Sequence, residues 1–357
     1  MKKKKRKLKK KVYFILYLIL IIIGIFLFYL INLGPVSNES KEVSFEVKDG
    51  DTLSNLSVRL KKEGIIRSEL SYKIYIKFHK FNELKKGVYI LDLNNSTSEI
   101  INILTNKPNS LGVKITFKEG KNFRNIAKTI SENTNITEEE VYNKLKDIKY
   151  VNSLIDSYWF LTDDINNKDI YYSLEGYLYP ETYFFEPNVK IEDIFKKMLD
   201  QTDKIFSKYK SDFNKSDLSI NEVITLASMI EQEGKSNSDR KGISGVFYNR
   251  LDKNMSLGSD VTTYYAFKVD MGTRSLTSKE YNTSNPYNTR GPNMAGKLPV
   301  GAISNFSESS LEAALNPTSH NYLYFVSDKY GKTYFAKTDK DNLKKKKELI
   351  KQGIWVE

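Results

Sequence analysis

Residues 12–31 read Val-Tyr-Phe-Ile-Leu-Tyr-Leu-Ile-Leu-Ile-Ile-Ile-Gly-Ile-Phe-Leu-Phe-Tyr-Leu-Ile, without one charge. A predominantly apolar helix of about 20 residues matches the hydrocarbon thickness of a bilayer, so this run is expected to span a membrane. Lys2 to Lys5, Arg6, Lys7 and Lys9 to Lys11 precede it directly. Basic residues stay on the cytoplasmic side, so residues 1–11 read as a cytoplasmic tail and everything after Asn32 as extracytoplasmic. A cleaved signal peptide would have an apolar core of about 7–15 residues and a small-residue cleavage site. This run is longer, and Asn32-Leu33-Gly34-Pro35 follows it, so a retained single-pass anchor in the cell membrane is the preferred reading. Residues 32–42, with Gly34, Pro35, Ser37 and Ser40, read as a tether.

Charge and composition remove several function classes. The net charge is +12, but the first 11 residues hold nine of the cations, leaving +3 for the rest. The folded part therefore lacks the electrostatic footprint of a nucleic-acid binder. The chain has no Cys, which excludes disulfides and thiolate chemistry. With only His79 and His320, a His-rich metal site is not expected. No metal and no cofactor are predicted. A length of 357 residues suits about two folded domains besides the anchor.

Residues 43–140 contain a repeat. Val43-Ser-Phe-Glu-Val-Lys-Asp-Gly-Asp-Thr-Leu-Ser-Asn-Leu aligns with Val113-Lys-Ile-Thr-Phe-Lys-Glu-Gly-Lys-Asn-Phe-Arg-Asn-Ile. Each copy predicts a strand with alternating apolar residues, a turn at an acidic residue and Gly, and a helix. The helical stripes are Leu53, Leu56, Leu60 and Phe123, Ile126, Ile130. The opening of the first copy, Val47, Gly50, Asp51, Thr52 and Leu53, resembles that of LysM-type glycan-binding modules; a small packing unit without a ligand fits the same residues. Between the copies, Lys86 to Leu91 reads as a strand and Ser96 to Asn106 as a short helix.

Residues 140–217 are rich in aromatics: Tyr171, Tyr172, Tyr177, Tyr179, Tyr183, Phe184 and Phe185. Glu175-Gly176 and Pro180-Glu181 interrupt them, which suggests a loop presenting Tyr side chains, groups able to stack on sugar rings. Ile191 to Lys208 is predicted to be an amphipathic helix.

Ser219 to Gly234 is the stretch around which the second half is organised. Ser219 and Glu222 form a capping box, Ile220, Val223, Ile224 and Ala227 recur at helical spacing, and Gly234 is a natural stop. The end of this apolar helix carries Glu231 and Glu233. Beyond it, Gly245 to Leu251 reads as helix, 281–304 as a long polar loop of the kind that binds something, Ser309 to Leu315 as a short helix, and Tyr322 to Val326 with Lys332 to Ala336 as a hairpin. Residues 342–351 read as a solvated Lys-rich helix.

Several blocks stand together in order: Ser173-Leu-Glu-Gly-Tyr-Leu-Tyr-Pro-Glu-Thr-Tyr183, Leu226-Ala-Ser-Met-Ile-Glu-Gln-Glu233, Val246-Phe-Tyr-Asn-Arg-Leu251, Leu257 to Tyr265, Tyr287-Asn-Thr289, and Ala313-Ala-Leu-Asn-Pro317 with Tyr322-Leu-Tyr-Phe-Val326. Behind an N-terminal anchor, this set resembles the endolytic murein transglycosylase, or YceG-like, family. The resemblance implies a membrane-anchored lyase that cuts nascent peptidoglycan strands internally at the MurNAc-GlcNAc bond, leaving 1,6-anhydroMurNAc ends and terminating elongation. It implies peptidoglycan glycan strands as substrate, and peptidoglycan synthases (penicillin-binding proteins) with the elongation and division machinery as partners. It makes the second Glu of the pair, Glu233, the catalytic acid. Two departures stand out: Gly234 where the family often has Thr or another small side chain, and Lys297-Leu-Pro-Val-Gly301 where it has Gly-Leu-Pro-Pro-Gly.

The expected class is α+β: one transmembrane helix (12–31), a tether (32–42), a LysM-like module (43–110), a second strand-helix unit with an aromatic-rich linker (111–217), and a mixed α/β catalytic domain (218–357). Glu231 and Glu233, two positions apart on a helix, point to nearly opposite sides and cannot flank a glycosidic bond as facing carboxylates do. One acid then works alone, or borrows Asp260 or Glu175. Working alone, it would protonate the leaving oxygen and then act as base toward the sugar's own 6-hydroxyl. Such an acid needs a pKa raised by apolar neighbours such as Leu226 and Ile230. Periodicity aligns Glu231, not Glu233, with the core stripe, so Glu231 is expected to be a buried carboxylate paired with Arg240 or Arg250. The choice of Glu233 rests on the resemblance. Asn249, Asp260, Thr262, Tyr287 and Asn288 are candidate glycan contacts, with packing and turn formation as the alternative for each. The competing functions are a non-catalytic peptidoglycan-binding scaffold and a hydrolase leaving reducing ends.

Overall fold

The structure is a computed structural model that describes residues 2–48, 50–106, 113–186 and 188–355, with residues 2–11 described by their backbone alone. The expected boundary at 110/111 and the acidic turn residue Asp49 lie outside the described residues. Among the described residues the architecture is mixed α/β, mostly helical, with three two-stranded sheets. A single helix runs from Lys2 to Leu33, and its segment Val12–Leu33 is long and apolar enough to cross a membrane. The chain divides into two compact units, residues 1–114 with 184–187, and residues 115–183 with 188–357.

In the first unit, strand β1 (Glu42–Val47) pairs antiparallel with β2 (Gly87–Asp92), in register from Glu42 opposite Asp92 to Val47 opposite Gly87. The alternation predicted for β1 holds: Phe45 and Val47 are buried, Glu46 is exposed. Gly50 makes the turn at φ 83°, a backbone region open to glycine, and Thr52 with Asn55 forms a capping box for the helix Leu53–Lys62. A second helix, Glu69–Phe78, and a third, Thr97–Thr105, complete the unit. Phe45, Leu56, Leu60, Tyr72, Leu91 and Ile101 form its core. The tether does not hang free. Arg67 Nε donates to Pro35 O at 2.5 Å, and Ser37 N donates to Leu93 O at 3.0 Å.

Strand β3 (Val113–Thr116) pairs with β4 (Thr182–Phe185). The second repeat copy reproduces the first. Gly120 turns at φ 70°, and Asn122 with Asn125 caps the helix Phe123–Asn133.

The second unit is built around the helix Ile220–Glu233. Val223, Ile224, Leu226, Ala227, Met229 and Ile230 are all fully buried, and a helix apolar on every side belongs in a core. Helices Asn237–Asp252, Asp260–Ala266 and Glu308–Leu315 pack on it. The hairpin β5 (Tyr324–Ser327) and β6 (Thr333–Ala336) follows as predicted, and the helix Asp339–Lys351 packs on both its strands. That last helix is not merely solvated, since Leu349 is buried. The boundary expected at 217/218 is not a packing boundary. Asn305 N donates to Lys121 O at 2.8 Å and Gln232 Nε2 to Gly120 O at 2.9 Å, so residues 117–183 share this core.

The aromatic stretch is core, not a presented platform. Tyr177, Tyr183 and Phe185 are buried, Tyr171 stacks with Tyr265 and packs tilted against Tyr287, and Tyr172 stacks on Phe123. Long-range partners from 123 and 265–287 cover rings that the local turn residues leave open.

Candidate active site

The capping box of Ser219 and Glu222 starts the acid helix, and Gly234 N donating to Ile230 O at 2.8 Å closes it. Gly234 sits at φ −101°, an extended conformation any residue adopts. Glycine is needed there for room: a Cβ would lie 2.7 Å from Arg240 Cγ and 3.2 Å from the Arg240 backbone. The last turn then sends Glu231, Gln232 and Glu233 in three directions.

Glu231 points inward. Its side chain is 6 % exposed and pairs with Arg240, 13 % exposed, at 3.0 Å. Its other oxygen accepts from Ser307 N at 3.0 Å and from the hydroxyls of Ser307 and Ser310, each at 2.6 Å. Ser307 is the N-cap of helix Glu308–Leu315 but makes no side-chain cap bond itself, so Glu231 caps that helix from outside, where a carboxylate meets orphan N–H groups and the positive dipole end. Gln232 ties the turn to Gly120 O and, at 3.0 Å, to Ser304 Oγ.

Glu233 is half-buried on the wall of a cleft of about 600 Å³. Ser259 Oγ donates to Glu233 Oε1 at 2.6 Å. Burial holds the Glu233 carboxyl above its ordinary range. The Ser259 hydroxyl opposes that rise, Asp260 adds to it, and Arg290 opposes it. Asp260 lines the same cleft and is ion-paired with Arg290. A second carboxylate is thus near the acid, engaged by a cation.

Ser259 is fixed by its own scaffold. Its N–H donates to Thr289 Oγ1 at 3.0 Å, Thr262 Oγ1 donates to Ser259 O at 2.7 Å, and the Thr262 and Thr289 hydroxyls meet at 2.8 Å. Arg250, Tyr324, Lys346 and Trp355 also line the cleft. Arg250 donates to the carbonyls of Leu323 and Leu257 at 2.6 and 2.8 Å and lies over the Tyr324 ring, fastening the hairpin to the Leu257 loop. Lys346 Nζ stands 4.6 Å from the Trp355 ring centroid.

Of the residues singled out from sequence, the structure brings Glu233 and Asp260 together on the cleft, with Glu231 and Arg240 paired behind them. Thr262, Tyr287 and Asn288 are fully buried. Thr262 holds Ser259, Asn288 Nδ2 donates to Thr283 O at 2.8 Å within the polar loop, and Tyr287 OH accepts from Tyr171 N at 3.1 Å. Their place is in the support of the site rather than on its surface. Asn249 donates to the carbonyls of His320 and Tyr322 at 2.8 and 2.9 Å. Glu175 lies apart, buried at the start of helix Phe123–Asn133, where it accepts from Phe123 N and, at 2.9 Å, from Tyr265 OH. Burial pushes its carboxyl up to about 7 against these hydrogen bonds. Among the described residues no group of three or more His, Cys, Asp or Glu could hold a metal ion.

Ser259, Arg290, Tyr324 and Trp355 were not legible as site residues. Ser259 had a signal, since it sits in the Leu257 to Tyr265 block beside Asp260; Trp355 had none.

Residues 45–348 match the model of the YceG-like family. The chain is 36% identical over 330 residues to the endolytic murein transglycosylase of Bacillus subtilis strain 168, covering 92% of this chain and 90% of that protein. It is 31% identical over 334 residues to the endolytic murein transglycosylase of Streptococcus pneumoniae D39, covering 89% of this chain and 60% of the pneumococcal one. The fold resembles a 2.6 Å crystal structure of a YceG-like protein from Listeria monocytogenes, with a TM-score of 0.61, 35% identity, and coverage of 86% of this chain and 100% of that one.

Proposed function

The chain belongs to the YceG-like family, and from that premise we propose that it is a membrane-anchored endolytic murein transglycosylase with Glu233 as its single catalytic acid. The observation that carries the assignment is the pairing of a raised carboxyl pKa with a position on the cleft wall, Ser259 donating to Oε1. A protonated Glu233 gives its proton to the leaving glycosidic oxygen as the bond to C1 breaks. The resulting carboxylate takes the proton of the MurNAc 6-hydroxyl as that oxygen closes on C1. Atoms balance without water, and the product ends in a 1,6-anhydro ring. The substrate's N-acetyl group can stabilise the cationic intermediate in place of a facing carboxylate, while Asp260 stays engaged by Arg290.

The substrate is the peptidoglycan glycan strand, and the catalytic part acts outside the cell membrane, with the N-terminus in the cytoplasm. The first unit is read as a glycan-binding module of the LysM type, supported by the Val47 to Leu53 opening and its strand-turn-helix form. Peptidoglycan synthases and the elongation or division machinery are the proposed neighbours. Digestion of purified uncrosslinked glycan strands by the full chain in detergent, followed by mass analysis, tests the reading. Anhydro-ended fragments that vanish in Glu233→Gln support it. Water-added fragments would make the protein a hydrolase, and intact bound strands a scaffold.

A further inference from the structure

We propose that the helix Glu69–Phe78 of the first unit rests on the lipid bilayer, a membrane contact separate from the spanning helix. Leu70, Ile74 and Phe78 are 68 %, 36 % and 76 % exposed. They recur every fourth residue, so they form one stripe along the helix. The core side is satisfied by Ser71, Tyr72, Tyr75 and Ile76, which pack into the unit. The stripe is therefore not a poorly buried core face but a second apolar face left exposed by the described residues.

The surrounding geometry indicates what covers it. This helix packs against the Lys2–Leu33 helix. Tyr75 is the electrostatic neighbour of Tyr29, four residues before the end of the spanning helix, about 6 Å along its axis at 1.5 Å per residue. Arg67, just before the helix, is bonded to Pro35 O, just after the span. Both ends of the connection are pinned, so Glu69–Phe78 is held at the level where the span leaves the hydrocarbon. Lys77 and Lys80 are exposed beside the stripe, and Lys73, also exposed, is ion-paired with Glu69. An apolar stripe flanked by lysines at headgroup depth has the chemistry of an interfacial helix on an anionic bilayer. Its tilt would set the orientation of the first unit relative to the membrane, independently of any role of Glu233.

The absence of cysteine makes the test direct. Single cysteines at Leu70, Ile74, Phe78 and, for contrast, Glu46, exposed on β1 away from this helix, are labelled with bimane in the full chain. Each is reconstituted into nanodiscs of phosphatidylglycerol and phosphatidylcholine with brominated acyl chains. The stripe labels are expected to be quenched at least about two-fold more than the Glu46 label, and more strongly as the anionic fraction rises. A triple variant Leu70→Glu, Ile74→Glu, Phe78→Glu, carrying the label at Lys77, exposed on the same helix face, should lose quenching at that site while its thermal unfolding matches that of the labelled parent. Equal, weak quenching at all four positions overturns the proposal. So does protection that arises only when a second membrane protein is co-reconstituted, which would make the stripe a protein interface.

Discussion

The two carboxylates of one helical turn are predicted to fail in opposite ways. Glu231→Gln removes one partner of an ion pair whose side chains are 6 % and 13 % exposed, and weakens acceptance from three donors at the start of helix Glu308–Leu315. Breaking a pair this buried costs about 3–5 kcal/mol, and since Gln keeps the volume and one acceptor oxygen, the lower figure applies. At roughly 2–4 °C per kcal/mol for a domain of about this size, Tm falls by about 6–12 °C. Glu233→Gln should leave Tm unchanged or raise it at neutral pH. Burial raises the folded pKa of Glu233, so the folded state binds the extra proton, and ionisation destabilises it as pH rises above the ordinary carboxylate range. Gln removes that penalty. Turnover of glycan strands should instead drop about 10²- to 10⁴-fold, the contribution of a general acid. The assays are differential scanning calorimetry of both variants in one detergent and mass quantitation of anhydro-ended products. A Glu231→Gln protein that melts with the parent but is inactive, beside an active Glu233→Gln protein, would refute the division of roles.

Four further outcomes follow from the same geometry. Ser259→Ala removes the donor that lowers the Glu233 pKa; the alkaline limb of the kcat profile should move to higher pH, with kcat/KM down about ten-fold for one hydrogen bond to a charged group. Glu175, raised to about 7 by burial, contributes stability that is complete below the ordinary Glu pKa and is lost as pH climbs to about 7. The unfolding free energy of Glu175→Gln, from denaturant titrations at several pH values, should be flatter across that window. Gly234→Ala places a methyl 2.7 Å from Arg240 Cγ and should cost about 1–3 kcal/mol, read by the same titration. Trp355→Ala removes an aromatic wall of the cleft; KM for glycan strands should rise about ten-fold with little change in kcat, on the scale of one aromatic contact.

Local signals were readable where local chemistry decides. The capping box at Ser219, the turn glycines 50 and 120, and the helix Ile191–Lys208 are set by neighbours within four residues, as are the capping boxes the structure adds at Thr52 and Asn122. The repeat was visible because both copies use that grammar. What the sequence hid depends on distant partners. Tyr177 and Tyr183 look presentable between turn residues and are buried by elements far along the chain. Tyr287 and Asn288, polar in a long loop, and Thr262, polar beside Asp260, look like contact residues, yet their polarity is consumed in holding that loop and Ser259. Gly234 is the helix stop it looks like, and what the sequence hid is that it also leaves a gap for Arg240. Trp355 reaches the cleft only because Asp328 and Trp355 bridge as strand partners and the helix before it folds back on the hairpin, a pairing no local pattern announces.

Glu231 binds the end of its own helix to the start of another and to the guanidinium of a third, so the peptide backbone one residue pair further on has three anchors. If Glu233 is the lone acid proposed above, it must alternate between neutral and anionic forms in every cycle. The clamp on Glu231 would then leave that change to the hydroxyl of Ser259 and the Arg290 partner of Asp260, with the frame beneath held still between the two half-reactions.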